Sequence, residues 1–254
     1  MRPYATAQQT GTRTVQCDAT AVRSAPGRGS RAFVILDGIG DHESVRSWTR
    51  TAAVQVAVAA ARRADAETGL RAVYARYAAE RPDGRNGMPG AAALVAVTTP
   101  DGRLTLAWAG DCRAYLITGN GRARQLTQDH NLRRVWPATE SCPIAGSRHR
   151  ITSYLGSSHT DQDTLDWHHH PAVESAAIDP TGPAHLLLAT DGAYEPYEDA
   201  GDDIARELRG EGFGALSRTA RRFTEGSVRR ALLAREEAGG SPHADNATVL
   251  LARL

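Results

Sequence analysis

The sequence has little cysteine, and what it has is badly placed for cross-linking: Cys17, Cys112 and Cys142 are an odd number without C-x-x-C spacing. That argues against a disulfide framework or a cysteine zinc cluster, and a reducing cytoplasm is the setting expected. Lysine is missing altogether, so all 30 basic residues are arginines, and against 29 acidic residues they leave a formal net charge of +1. So even a balance gives no electrostatic reason to expect nucleic acid or an anionic membrane as partner. No apolar run reaches the ~18 residues needed to span a bilayer, and no charged-then-apolar leader pattern opens the chain. Internal repeats and long linkers are missing too. What remains is 254 residues with 41% hydrophobic content, enough for a substantial core. We expect one domain over 1–254, soluble, cytoplasmic and monomeric.

Patterning predicts strands over 15–22 and 31–37, joined as a hairpin through SAPGRGS. From Glu43 to about Ala64 the chain is rich in Ala and Val without Gly or Pro, and Leu70, Val73, Tyr74 and Tyr77 continue at helical spacing. Two helices are expected, with Gly69 near their junction. The 51–61 stretch reads as a core-facing side and not as a membrane or partner motif. RPDGRNGMPG is a loop by composition. AAALVAVTT, PDGR, LTLAWAG, DCRAYLIT and GNGR then read as strand, turn, strand, strand, turn, an antiparallel meander. Residues 129–150 are irregular and polar, with a short helix near Asn131 to Trp136. VESAAID and HLLLAT read as strands, 199–209 and about 213–237 as helices, and TVLLARL as a closing strand. The order implies an α+β fold with a mostly antiparallel sheet system.

HLLLATDGAYE ends an apolar run on Asp191-Gly192, which taken alone is a turn at the end of a strand. RAFVILDG ends likewise at Asp37-Gly38, RLTLAWAGD delivers Asp111, ADNATVLLARL sets Asp245 just before a strand, and Asp18 lies within or just past the first strand. Carboxylates converging on one rim of a sheet repel one another unless cations neutralise them. Oxygen donors without a His or Cys set favour Mg²⁺ or Mn²⁺ over zinc. Two such ions, bridged by a shared carboxylate and a shared water, generate a nucleophilic hydroxide at neutral pH and stabilise charge on a transferring phosphoryl group. Arg13, five residues before Asp18, offers a guanidinium shaped for bidentate phosphate contact, although position alone gives a solvated surface arginine.

These stretches together resemble the metal-dependent serine/threonine protein phosphatase family, type 2C-like, in its bacterial single-domain form. The matching pieces are Arg13 to Asp18, FVILDGIGDH at 33–42, GDCRAYLI at 110–117, QLTQDHN at 125–131, ITSYLG at 151–156, LLLATDG at 186–192 and DNATVLL at 245–251, in the family's order from about 11 to 253. The resemblance implies a four-layer αββα sandwich of two antiparallel sheets flanked by helices. It implies two Mn²⁺ or Mg²⁺ ions at one end and dephosphorylation of phosphoserine or phosphothreonine in proteins through a metal-bridging hydroxide, without a phosphoenzyme. Asp37 would bridge both ions, the Gly38 carbonyl would bind one, and Asp191 and Asp245 would bind the other. Asp18 would hold metal-bound water, Asp111 with Asp191 a third, weaker ion, and Arg13 the phosphate. Residues 130–150 would form the flap beside the substrate.

Four positions depart from the pattern. Cys17 stands where many members have Glu, Ile39 where eukaryotic members have His and bacterial ones Met, Cys112 where Ser is usual, and GDHES lacks the second glycine of the common loop. Cys17, Ile39 and the altered loop keep open a catalytically weak regulatory or binding relative, and the metal centre alone leaves open a hydrolase of small phosphoesters. HHH at 168–170 reads as an exposed polar loop and Cys17 as a structural, half-buried strand cysteine. His42 fits a helix N-terminal cap region as well as it fits the site.

Overall fold

The computed structural model describes residues 3–80, 88–119, 121–209 and 215–254. Residues 81–87 of the loop expected at RPDGRNGMPG lie outside them, as do Asn120 of the GNGR turn and the first two residues of the helix expected from about 213. Among the described residues the strands are β1 (Tyr4–Gln9), β2 (Ala19–Ala25), β3 (Ser30–Gly38), β4 (Ala91–Thr98), β5 (Leu104–Ala109), β6 (Arg113–Thr118), β7 (Ala123–Gln125), β8 (Glu174–Ile178), β9 (Ala184–Ala189) and β10 (Ala247–Arg253). The helices are α1 (Glu43–Arg63), α2 (Ala66–Ala79), α3 (Leu132–Val135), α4 (Asp161–His168), α5 (Asp191–Asp199), α6 (Ile204–Arg209) and α7 (Leu216–Glu237).

The strands form two five-stranded sheets, in the orders β1-β10-β9-β6-β7 and β2-β3-β4-β5-β8, with every neighbouring pair antiparallel. The period-two alternation of a strand explains the layering. In β3, Phe33 and Ile35 face the other sheet and pack with Leu94, Leu106, Leu186, Leu188 and Leu250. Val34 and Leu36 face the opposite way, onto Ala53, Val56, Ala57 and Ala60 of α1 and Leu70 of α2. On the far side, Leu187, Ala189, Val249 and Leu251 pack under Tyr194 and Tyr197 of α5 and Phe223 of α7. Helix, sheet, sheet and helix are therefore the four layers, as expected.

The alanines of α1 let α2 come close. A Cβ on Gly69 would lie 2.4 Å from Ala60 Cα, so glycine is there for contact in the first turn of α2, and the junction itself falls at Ala64, whose φ of 53° ends α1. Asp65 then caps α2 by accepting from Thr68 N–H at 2.8 Å.

Several expectations change. β1 was not foreseen, and β2 begins at Ala19 instead of 15, so Arg13 to Asp18 form an irregular segment between the two strands. The meander breaks after β5: β5 pairs with β4 and β8, whereas β6 lies in the other sheet beside β9. Gly110 makes the switch with φ 126°, at a spot where a Cβ would meet Ala92 Cβ at 2.4 Å. Asp191 begins a helix and not a turn, and α4 occupies a stretch with no predicted element.

Candidate metal centre

The antiparallel pairing delivers the aspartates to one end of the sandwich. Asp37 is the next-to-last residue of β3, and Asp18 precedes β2, whose Ala19 is opposite Leu36. Gly38 packs on this turn so closely that a Cβ would lie 2.6 Å from the Cys17 carbonyl oxygen. In the other sheet, Val249 of β10 is opposite Ala189 of β9, which brings Asp245 and Asp191 together as the chain enters one strand and leaves the other. A Cβ on Gly192 would meet Asn246 O at 2.2 Å, so only glycine fits. Asp111 follows Gly110 at the sheet switch, and Tyr194 of α5 donates its hydroxyl to the Asp111 carbonyl at 3.0 Å.

Hydrogen bonds tie the two sheets together here. Asp18 Oδ2 accepts from Thr190 Oγ1 at 3.2 Å, and Thr190 Oγ1 in turn accepts from Thr248 N–H at 3.0 Å. Cys17 N–H donates to Asn246 Oδ1 at 2.7 Å, and Asn246 Nδ2 donates to Thr10 O at 2.9 Å. Cys17 is buried, with its thiol directed at the His42 carbonyl. Asp18 Oδ1 is buried and has no hydrogen-bond partner.

Burial, and then the charge of neighbouring aspartates, pushes Asp18 and Asp37 well above the ordinary carboxylate range, and Asp111 likewise, with Asp191 foremost among its charged neighbours. Asp191 is raised by burial and then by Asp245. Four mutually repelling carboxyls, one of them with an orphaned buried oxygen, are the donor set of a hard divalent cation. The residues present therefore fit Mn²⁺ or Mg²⁺.

Arg13 is placed at the rim by an ion pair, Nη2 to Asp245 Oδ2 at 2.6 Å, and that bond strengthens its hold on its proton. Asp41 pins the segment by accepting from Thr14 N–H at 3.1 Å, Thr14 Oγ1 at 2.9 Å and Val15 N–H at 2.8 Å. His42 precedes α1 as its N-cap, although its side chain makes no cap hydrogen bond.

The turn that carries Asp111 is braced from behind by His130 of QLTQDHN. His130 N–H donates to Gly110 O at 3.1 Å, and His130 Nδ1 accepts from Gly110 N–H at 3.3 Å, which leaves Nε2 to donate to Glu174 Oε2 at 3.1 Å. Arg134 holds Glu174 with two further bonds, at 2.7 and 2.8 Å. The ring of His170 stacks on His130 at 4.1 Å, so the last residue of HHH is buried and only part of that stretch is the exposed loop expected. Burial lowers both histidines, His170 to about 4.

The 130–150 segment closes on α5. Arg148 binds Asp199 through both terminal nitrogens at 2.6 Å and Glu195 through Nε at 3.0 Å. Glu195 is pushed up to about 8 by burial and by Asp191. Among the described residues, His149, Asp191 and Glu195 are the one trio of potential metal donors with ligand atoms all within 4.8 Å of one another. Sequence reasoning missed Arg148, His149 and Glu195. The i, i+4 spacing of Asp191 and Glu195 was the available signal, and reading a turn at Asp191 concealed it.

The family model described as Protein phosphatase 2C matches residues 28–135, which include Asp37, Gly38 and Asp111. Three solved structures show the fold. The S. agalactiae serine/threonine phosphatase is 17% identical with a TM-score of 0.72, the match covering 98% of this chain and 97% of that one. The PPM Ser-Thr phosphatase MsPP from Mycobacterium smegmatis, solved with cacodylate, is 22% identical with a TM-score of 0.68 over 98% and 97%. The Mycobacterium tuberculosis serine/threonine phosphatase PstP/Ppp is 22% identical with a TM-score of 0.66 over 99% and 97%. None of the curated proteins compared matches the sequence.

Proposed function

From a fold shared along nearly its whole length with bacterial serine/threonine phosphatases, and a protein phosphatase 2C match running from β3 to α3, we propose that this chain is a metal-dependent phosphatase acting on phosphoserine and phosphothreonine in proteins. We assign the whole chain to one catalytic domain that works in a reducing cytoplasm, in keeping with three free cysteines. The convergence of Asp18, Asp37, Asp111 and Asp191 on one end of the sandwich, with one Asp18 oxygen left unpartnered, carries the reading.

In this reading Asp37, the Gly38 carbonyl, Asp191 and Asp245 hold two Mn²⁺ or Mg²⁺ ions, and Asp111 with Asp191 takes a third. When bound, such ions lower the pKa of water and neutralise charge on a phosphoryl group in flight. Asp18, fixed by Thr190, offers its free oxygen to orient a water. Arg13 grips the phosphate, its guanidinium presented at the rim by the Asp41 clamp on Thr14 and Val15. The 130–150 segment, anchored to α5 through Arg148, bears Trp136 and Ile144 exposed for contact with the polypeptide of the substrate.

Hydrolysis of p-nitrophenyl phosphate and a phosphothreonine peptide by the purified protein tests this. Turnover is expected with Mn²⁺ and lost with EDTA or in Asp191→Ala. Absence of turnover above that variant, from folded protein at any Mn²⁺ concentration, would sink the reading. Preference for sugar phosphates or nucleotides over the peptide would move the substrate to small phosphoesters.

A further inference from the structure

Beside the aspartate centre lies a trio of different chemistry. Asp191 opens α5 and Glu195 follows one turn later, so both carboxylates leave the same side of the helix. His149 arrives from the 130–150 segment. One donor atom from each lies within 4.8 Å of the others. His149 Nδ1 is 3.9 Å from Glu195 Oε2, beyond a hydrogen bond, and the other Glu195 oxygen is taken by Arg148 at 3.0 Å. The three donor atoms are therefore close together, with His149 and Glu195 not hydrogen-bonded to each other.

Charge favours a cation there. Arg148 is the guanidinium bonded to Glu195, and its two terminal nitrogens are spent on Asp199, while the charge of Asp191 still pushes Glu195 up. The Glu195 side chain is nearly closed from solvent, at 13% exposure, whereas His149 at 65% leaves an entry path and freedom to adjust.

We propose that His149, Asp191 and Glu195 form a mixed nitrogen and oxygen site for a borderline divalent ion, Mn²⁺ or Zn²⁺, which it takes in preference to Mg²⁺. An imidazole donor sets this preference, because nitrogen suits zinc and the later first-row ions while Mg²⁺ keeps to oxygen and water. The site shares Asp191 with the aspartate centre but uses neither Asp37 nor Asp245. A bound ion ties His149 to α5, and so ties the 130–150 segment to the body of the protein.

The proposal stands on these three side chains and is tested without turnover. The full chain carrying Asp37→Asn, Asp111→Asn and Asp245→Asn, which disable the main centre and the third-ion position, is titrated calorimetrically with Zn²⁺ and with Mg²⁺. One Zn²⁺ site is expected to persist, and adding His149→Ala, an exposed change that leaves the core untouched, is expected to weaken it at least roughly tenfold, with Mg²⁺ binding unmoved. Pulsed EPR of bound Mn²⁺ should show nitrogen modulation that His149→Ala removes. Zn²⁺ affinity equal with and without His149, or no residual Zn²⁺ site in the triple variant, overturns the proposal. Either result leaves the phosphatase reading to its own assay.

Discussion

Arg13 and Asp245 share an ion pair at 2.6 Å, and the roles proposed for them compete. An Asp245 oxygen that holds a cation is lost to the guanidinium, and the released guanidinium is what phosphate meets. Arg13→Ala should therefore raise KM for a phosphothreonine peptide roughly 10- to 100-fold, the worth of a charge-assisted hydrogen bond, while leaving Mn²⁺ affinity unchanged or tighter. Steady-state kinetics and a Mn²⁺ titration check both halves. Asp37→Asn removes one charge from the repelling cluster, so in EDTA it should melt higher than native, by about 2–4 °C for each kcal/mol relieved. Differential scanning calorimetry with and without Mn²⁺ reads this, and the variant should gain less from Mn²⁺ than native does. The aspartates were legible because each ends or precedes an apolar run. Arg148, His149 and Glu195 were not, because their partnership exists only once the 130–150 segment folds back on α5, a contact with no local signature.

Glycine decides one helix contact, at Gly69, and one junction, at Gly110, on which the elements depend. At Gly69 an added Cβ would press on the backbone of α1, which has no side chain to move aside. Gly69→Ala should cost about 1–3 kcal/mol and lower Tm by roughly 3–10 °C, without altering metal affinity, as thermal melts and a Mn²⁺ titration would show. Strands and long helices were readable wherever an apolar run or one periodicity continued unbroken, as in AAALVAVT of β4 and the Ala-rich face of α1. The meander failed because strand pairing is a tertiary choice: Gly110 lets LTLAWA and RAYLIT follow each other in sequence while lying in different sheets. β1 escaped notice because its pattern is polar on the exposed side, and only pairing with β10 defines it. The turn read at Asp191 failed for a related reason, since Asp-Gly is equally at home in the first turn of a helix.

For the molecule as a whole, the stacked pair His130 and His170 predicts acid sensitivity. His170 takes a proton at about 4 when folded and near 6.5 when unfolded, so between those values the unfolded chain binds more protons and stability falls as pH falls. Glu174, held near 2 by Arg134 and His130 against the cost of its burial, adds a loss in the same direction below about 4.5. The raised aspartates act with the opposite sign, and comparison with His170→Gln cancels them. Across pH 7.5 to 4.5, native protein should lose up to on the order of 3 kcal/mol relative to that variant, measured as the difference in urea unfolding free energy.

Sheet order has a consequence in time as well as in space. β10 lies between β1 and β9, and Asp245 sits two residues before it. During synthesis β1 and β9 emerge long before the strand that joins them. Until β10 leaves the ribosome the first sheet lacks the strand that joins β1 to the rest, Arg13 has no Asp245 and Cys17 has no Asn246. A nascent chain of this fold is therefore unable to assemble its aspartate set early, and competence to bind the ions arrives only with the strand that completes the sheet.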